Sequence, residues 1–139
     1  INWARIIAQS VYYFYSYFSI EDKTQPINFS VPTGNFGDVY AGYLAKKMGL
    51  PIGKLLVATN QNDILHRAIS KGEYNIEKVL ETISPSMDIQ LASNFERLLY
   101  DINNHSDIET VSAMKDIKEK GRYKIDKDKL DKINLHFLS

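Results

Sequence analysis

The sequence predicts an α/β fold in which a βαβ unit is followed by mainly helical segments. Residues 27–31 form a short apolar run that is typical of a buried strand, and residues 38–48 show the pattern of a helix closed by Gly49 and Pro51. A second apolar run at residues 55–58 predicts another strand. Because strand–helix–strand crossovers join parallel strands with right-handed geometry, we expect these two strands to be parallel.

Four further helices are predicted from capping residues and apolar spacing. Asp63 is expected to cap the second of them, while Ser84 and Pro85 supply N-cap and first-turn chemistry for the third. Gly121 is expected to end the fourth helix. The predicted ranges are residues 2–18, residues 63–69, residues 84–100 and residues 108–120.

Two segments are unusual in composition. Aromatic side chains surround the second half of the first predicted helix, which indicates a helix buried on more than one side. These aromatic residues are Tyr12, Tyr13, Phe14, Tyr15, Tyr17 and Phe18. In contrast, the dense mixed charges of residues 115–132 predict a surface that faces solvent. In an isolated chain we expect part of the aromatic surface to be an interaction liability.

Composition and charge exclude several function classes. The chain has 139 residues with 17 basic and 17 acidic side chains, so its formal net charge of +0 creates no global field for nucleic acid or an anionic membrane. No apolar run has the length of a membrane span. The absence of cysteine excludes disulfides and thiolate metal sites and is compatible with the cytoplasm. His66, His105 and His136 share no metal-ligand spacing.

The segment between the first strand and its helix, residues 30–38, is a candidate phosphate site. Gly34 and Gly37 let the backbone turn sharply and approach a ligand closely. Successive backbone N–H groups there, with the positive end of the following helix dipole, can hold a phosphate without a cationic side chain. The segment lacks the Gly-Lys-Ser/Thr of a nucleoside-triphosphate loop and the three spaced glycines of a dinucleotide fingerprint. A plain structural turn with an Asp38 cap is the alternative.

Polar residues also follow the second predicted strand. Asn60, Asn62 and Asp63 lie after its carboxyl end, where open α/β sheets place ligands. Helix capping explains Asn62 or Asp63 equally well, so a structural role and a site role both stay open. Farther along the chain, Asp88 and Asn94 are assigned to helix initiation and packing.

Several words of the sequence occur in the same order in one known family. They are INWARI at residues 1–6, AQ at residues 8–9, YYF at residues 12–14, VPTGNFGD at residues 31–38, AGYLAKKMGLPI at residues 41–52, ATN at residues 58–60 with NDIL at residues 62–65, and SPSMDI at residues 84–89 with SNFERLL at residues 93–99. On these words the chain resembles threonine synthase, a pyridoxal-phosphate-dependent family. The sequence from Tyr100 onward is much less diagnostic.

The resemblance implies a fold of the tryptophan-synthase-β type, which is fold type II among pyridoxal-phosphate enzymes. Residues 1–100 would form part of the enzyme domain, with the phosphate-binding loop at residues 33–38, and residues 101–139 would be a charged, mainly helical or loop continuation. The implied reaction converts O-phospho-L-homoserine and water to L-threonine and phosphate in the cytoplasm. The implied partners are this small-molecule substrate and the rest of the same polypeptide, without nucleic acid or membrane.

The resemblance also assigns site residues. In the family, the glycine-rich loop binds the cofactor phosphate mostly through backbone N–H groups, and an arginine on the first helix lies near the substrate phosphate. A planar guanidinium suits that second role because it can grip two phosphate oxygens at once. The cofactor-binding candidates are Thr33, Gly34, Asn35, Phe36 and Gly37, and the substrate-binding candidates are Arg5 and Asn2.

No lysine of this chain is assigned a catalytic role. Family members carry the lysine that forms the Schiff base with the cofactor upstream, in a phenylalanine-lysine-aspartate word that this chain lacks. The chain begins with Ile1 rather than Met, so we expect an internal fragment or a truncated reading frame that is inactive by itself. Two other function classes remain: a non-catalytic threonine-synthase-like protein that binds a phosphorylated ligand, and a stand-alone phosphate-binding βαβ module.

Overall fold

The computed structural model describes residues 2–139. Helices and strands alternate in the first half of this range, and helices dominate the second half. In chain order the elements are α1 (Trp3–Ser19), β1 (Ile27–Pro32), α2 (Gly37–Lys47), β2 (Ile52–Ala58), α3 (Ile64–Lys71), β3 (Glu73–Asn75), a 3₁₀ turn (Pro85–Met87), α4 (Phe95–Ile102), α5 (Asp107–Lys120), β4 (Arg122–Lys124), α6 (Lys127–Asn134) and β5 (Phe137–Leu138).

A parallel three-stranded sheet lies at the centre of the fold. Its strand order is β1-β2-β5, and Val31 of β1 is in register with Val57 of β2. The parallel pairing of β1 with β2 confirms the predicted βαβ unit, with α2 as its crossover. A second, two-stranded sheet pairs β3 with β4 in antiparallel fashion. The carboxyl end of β1 therefore leads directly into the glycine-containing loop before α2.

Helix α1 packs against α2 along one face only. Tyr13 is buried at 4% exposure, and its hydroxyl donates a hydrogen bond to the backbone oxygen of Asp38 at 2.9 Å. Gly42 permits the close approach, since a Cβ there would lie 2.5 Å from Cε1 of Tyr13. Tyr12, Tyr15 and Phe18 are exposed. Within residues 2–139 the helix is therefore buried on one face, and the exposed aromatic surface expected of an isolated chain is present.

The helix predicted over residues 84–100 is wrong in its first half. Only the 3₁₀ turn follows Ser84, and α4 begins at Phe95. Ser84 makes no side-chain cap, because its hydroxyl lies instead beside the Thr82 hydroxyl at 3.2 Å. The carboxylate of Asp88 also bonds back to Thr82, which closes the segment into a compact loop. Local capping chemistry is outweighed here by bonds to residues outside the predicted helix.

The final 39 residues contribute to the same core as the first hundred. Helix α5 ends at Gly121, whose φ is +68°, as predicted. Strand β5 pairs with β2 in parallel, and the ring of Phe137 lies 5.6 Å from that of Phe36. The boundary proposed at residue 100 falls within α4.

Candidate functional site

A cleft of about 520 Å³ opens where β1 ends. One wall is the first half of α1, and a second is the loop that joins β1 to α2. The opposite wall comes from Ser86 and Met87 together with Ser93 and Asn94, which are more than fifty residues away along the chain. The cleft thus lies at the carboxyl end of a parallel strand, where α/β folds place ligands.

All seven residues predicted as cofactor-binding or substrate-binding line this one cleft. Two belong to the start of α1 and five to the loop after β1. They are Asn2, Arg5, Thr33, Gly34, Asn35, Phe36 and Gly37. The structure therefore brings the predicted set together, while what each residue binds stays a prediction.

The loop after β1 carries backbone N–H groups without acceptors. Within residues 2–139 the N–H groups from Gly34 through Asp38 have no hydrogen-bond acceptor. Those of Gly37 and Asp38 lie in the first turn of α2, where N–H groups have no intrahelical partner. The carbonyl of Phe36 already accepts from Tyr40, so α2 is regular from its first turn. No side chain caps α2, so the Asp38 cap considered above is not formed. A helix start with free N–H groups is suited to binding an anion.

Phe36 shapes the loop, which the glycine pattern did not predict. Its φ is +62°, whereas Gly34 and Gly37 are not in the left-handed region. Its side chain is fully buried, with its ring 5.4 Å from that of Phe95 in an edge-on arrangement. Packing of the ring offsets the cost of a left-handed backbone at a non-glycine residue. Phe36 therefore offers the cleft its backbone and gives its side chain to the core.

The two loop glycines have different reasons to lack a side chain. A Cβ at Gly34 would lie 2.7 Å from the carbonyl oxygen of Ser86, so the 84–89 loop crosses there in direct contact. A Cβ at Gly37 would lie 3.2 Å from Nδ2 of Asn94 and 3.7 Å from Oε1 of Gln9, both of which line the cleft. Gly34 thus permits two loops to meet, and Gly37 keeps the cleft open.

Asn35 joins the loop to the segment before α4. Its side-chain oxygen accepts from the N–H and hydroxyl of Ser93 at 2.5 Å and 2.8 Å. Its backbone oxygen accepts from Nδ2 of Asn94 at 3.1 Å. Oδ1 of Asn94 in turn accepts from Nε of Arg97 at 3.3 Å. The Asn35 side chain therefore holds the cleft together, whatever it contributes to a ligand.

Thr33 and Asn2 use hydrogen-bonding groups within the chain, which leaves fewer of them to bind a ligand. The N–H of Thr33 donates to the carbonyl of Ala58 at 2.8 Å, and its hydroxyl donates to the carbonyl of Val31 at 2.6 Å. The side-chain oxygen of Asn2 caps α1 by accepting from the N–H of Ala4 at 3.0 Å. Both of Thr33's donors are therefore engaged within the chain, so Thr33 shapes the cleft rather than donating into it.

Charge in the cleft is divided between Arg5 and Asp38. Burial raises the pKa of Asp38, while the Tyr13 hydroxyl and the Arg5 guanidinium lower it in part. Asp38 is the single acidic residue among the described residues that line the cleft. Arg5 is correspondingly the single cationic one, exposed on α1. An anion in the cleft would meet one guanidinium and the N–H groups of α2.

Sequence reasoning missed several residues of the cleft. Gln9 lies four residues after Arg5, so helical spacing could have placed it on the same face. Its Oε1 is buried without a hydrogen-bond partner within residues 2–139. Ser86, Ser93 and Asn94 lie in sequence words shared with the family. Of the three, only Asn94 is assigned from the sequence, to helix initiation and packing. Only their contacts with the loop after β1 reveal their place.

The polar residues after β2 lie outside the cleft. Asn60 and Asn62 bond to Asp88, and Asp63 pairs with Arg67 at 2.8 Å. Asp63 is the N-cap residue of α3, as predicted, but its side chain makes no capping hydrogen bond, and Asn62 does not cap the helix. The described residues contain no group of three or more metal-ligating side chains. Among residues 2–139, no helix combines the length and the apolar character that a membrane crossing needs.

Comparison with known proteins identifies the segment. No family model matches the chain. A threonine synthase from Pseudomonas aeruginosa is 48% identical over 126 residues, which are 91% of this chain and 27% of the relative. The crystal structure of PLP-bound threonine synthase from Brucella melitensis matches 99% of this chain and 30% of its own, with a TM-score of 0.94 at 47% identity. In sequence and in fold, the chain belongs to the threonine synthase family.

The predicted family and fold class are thereby confirmed. The threonine synthase structure from yeast agrees, with a TM-score of 0.90 at 44% identity over 100% of this chain and 30% of that one. The chain spans less than a third of the length of these relatives.

Proposed function

We propose that the complete protein carrying this segment is a threonine synthase, which uses pyridoxal 5'-phosphate to convert O-phospho-L-homoserine and water into L-threonine and phosphate. The names of its relatives support this proposal, and one of the matching structures is described as PLP-bound. The cytoplasm is the proposed compartment, and the absence of cysteine is compatible with it.

One observation carries the assignment of this segment: the N–H groups from Gly34 through Asp38 lack acceptors at the start of α2, inside a cleft that Arg5 borders. A phosphate fits there because its oxygens would complete the hydrogen bonding of the helix start and meet the positive end of the α2 dipole. The missing side chain of Gly37 leaves the needed space.

The proposed roles follow from this arrangement. The backbone of residues 34–37 would hold the cofactor phosphate, and Arg5 would bind the phosphate of the substrate. Thr33 would shape the loop, and Asn2 would hold the start of α1 beside it. Gln9 can turn its amide so that the NH₂ group donates into the cleft. When bound, the cofactor supplies an electron sink for the reacting carbon. The segment's own residues then bind and orient two phosphate groups.

Arg5→Ala in the complete protein tests the substrate assignment. A lost charge-assisted hydrogen bond is worth roughly 1.5–3 kcal/mol, so kcat/KM for O-phospho-L-homoserine should fall about tenfold to a hundredfold. Bound cofactor should stay at the wild-type level. Arg122→Ala, an exposed arginine on β4 far from the cleft, is the matched control and should leave kinetics unchanged. Wild-type kinetics in Arg5→Ala would remove Arg5 from the site.

Gly37→Val tests the cofactor cradle. Because a side chain there would enter the cleft, cofactor affinity should drop while the melting temperature of the apo protein changes little.

Borohydride reduction followed by mass spectrometry is the companion measurement. It should place the cofactor adduct on a lysine outside these 139 residues. A stoichiometric adduct on a lysine of this segment, or a complete protein that binds no cofactor, would overturn the proposed function.

A further inference from the structure

We propose that Asp88 is a positioning residue, which ties the 80–88 loop to the end of β2 and so fixes Ser86 and Met87 as one wall of the phosphate cleft. The inference deepens the proposed function and rests on it. It concerns polar residues that lie outside the cleft and that the proposed function does not use.

Asp88 accepts four hydrogen bonds. Its Oδ1 accepts from Nδ2 of Asn60 at 2.7 Å, from the Thr82 hydroxyl at 2.7 Å and from Nδ2 of Asn62 at 3.1 Å. Its Oδ2 accepts from the backbone N–H of Thr82 at 2.8 Å. A carboxylate suits this position because it offers acceptor sites on two oxygens, whereas an amide offers only one oxygen.

The two asparagines that donate to this carboxylate are themselves hydrogen-bonded within the chain. Asn62 is only 3% exposed, and its Oδ1 accepts from the N–H of Leu80 at 2.9 Å while its Nδ2 donates to the carbonyl of Leu80 at 2.9 Å. Asn60 in turn accepts from the backbone N–H of Asn62 at 2.9 Å. The two asparagines that follow β2 therefore hold both ends of the loop, at Leu80 and at Asp88.

Two residues that line the cleft lie between these anchors. Ser86 and Met87 belong to the 3₁₀ turn just before Asp88. They lie against the glycine loop, since a Cβ at Gly34 would be 2.7 Å from the Ser86 carbonyl oxygen and 3.1 Å from Cα of Met87. No hydrogen bond within residues 2–139 holds the side chain of Ser86. The position of Ser86 therefore depends on the loop backbone that Asp88 anchors, and so does the width of the cleft.

The hydrogen bonds to Asp88 favour the charged form of its carboxylate. Hydrogen bonds from Thr82, followed by those from Asn60 and Asn62, hold the pKa of Asp88 below its usual value. Charge-assisted bonds of this kind are stronger than neutral ones. Asp88→Asn would remove the charge and replace one acceptor oxygen by a donor group facing Thr82, so the loop should loosen without a change in fold.

The test uses the complete protein with Asp88→Asn. We expect faster backbone hydrogen exchange over residues 82–88 in the apo protein, and a rise of about tenfold in the cofactor Kd or in KM for the phosphorylated substrate. Glu81→Gln makes the same charge change at an exposed residue of the same loop and should alter neither quantity. Ile133→Val, at a fully buried residue of α6, is the stability control, with a loss of global stability comparable to that of Asp88→Asn.

Two results would overturn the inference. One is exchange over residues 82–88 that matches wild type. The other is a Kd and a KM that rise no more in Asp88→Asn than in Ile133→Val, which would make the network merely structural. Failure of the proposed function has a different signature, because a wild-type protein would then bind no cofactor. The exchange comparison in apo protein would still decide whether Asp88 holds the loop.

Discussion

The outer face of α1 and the final 39 residues reverse the roles that their compositions predict. Helix α1 is rich in aromatic residues, yet Tyr15 is 73% exposed and Phe18 is 70% exposed. The final segment is rich in charge, yet Ile133 and Phe137 are both 0% exposed. The aromatic helix thus leaves much of its apolar surface uncovered, while the charged tail closes the core.

The contrast shows that spacing and partners, not composition, decide burial. In α5 the buried residues Thr110, Ala113, Met114 and Ile117 recur at the interval of one helical face, so few apolar residues suffice. In α1 the aromatic residues surround the helix, and α2 lies on one side only. A residue is buried only when another element covers its face, and within residues 2–139 the outer face of α1, with Tyr12, Tyr15 and Phe18, is exposed.

Phe137→Ala gives the largest expected effect and tests the tail's place in the core. Phe137 is fully buried in β5, against Phe36 and Tyr43, so its truncation should lower the free energy of unfolding by about 3–5 kcal/mol. Urea denaturation measures this loss. Leu138→Ala, at the next residue and half exposed, should cost much less. Equal losses for the two variants would mean that burial of the Phe137 side chain does not stabilise the tail.

Gly42→Ala tests the covered face of α1. The new Cβ would lie 2.5 Å from Cε1 of Tyr13 and 2.9 Å from Cδ2 of Leu55, so overpacking should cost about 1–3 kcal/mol. In a Tyr13→Ala background the same substitution should cost less, because one of the two obstacles is gone. A double-mutant cycle in urea measures the coupling. Additive losses would show that α1 does not pack on α2 through this contact.

Asp38→Asn should change the pH dependence of stability by a smaller amount. Burial raises the pKa of Asp38 above its usual 3.8, so the folded state holds a proton there more tightly than the unfolded state does. This contribution is fully present below pH 3.8 and is lost as pH rises through the higher pKa of the folded state. Relative to Asp38→Asn, the wild type should therefore lose stability as pH rises through that range. Parallel pH–stability curves would contradict the shift.

Tyr15→Ser should have the smallest effect, because Tyr15 is exposed and Tyr and Ser have similar helix propensities. The free energy of unfolding of the chain should change by no more than about 0.5 kcal/mol. Tyr13→Ser, two residues away on the covered face, is the matched comparison and should cost several times more. A loss above about 1 kcal/mol for Tyr15→Ser in the complete protein would show that another segment covers this face.

The candidate cleft was predictable in part. The glycine loop and Arg5 could be assigned from the sequence, because the loop lies between a predicted strand and a predicted helix and the family words mark both. Ser93 and Asn94 could not be assigned, since their hydrogen bonds to Asn35 join positions 58 and 59 residues apart. The glycine pattern predicted a sharp turn but not its left-handed residue, which is Phe36, where burial of the ring offsets the strained backbone.

The sequence by itself determined the βαβ unit, the helix that ends at Gly121 and the family, because apolar runs, caps and ordered words are local properties of the chain. The tertiary structure decided which face of α1 is covered, how β5 joins the sheet and how Asp88 closes its loop. Each of these depends on contacts between distant residues, such as the bond from Asn60 to Asp88 across 28 positions. Local propensity at Ser84 predicted a helix there, and the combined bonds to Asp88 outweighed it.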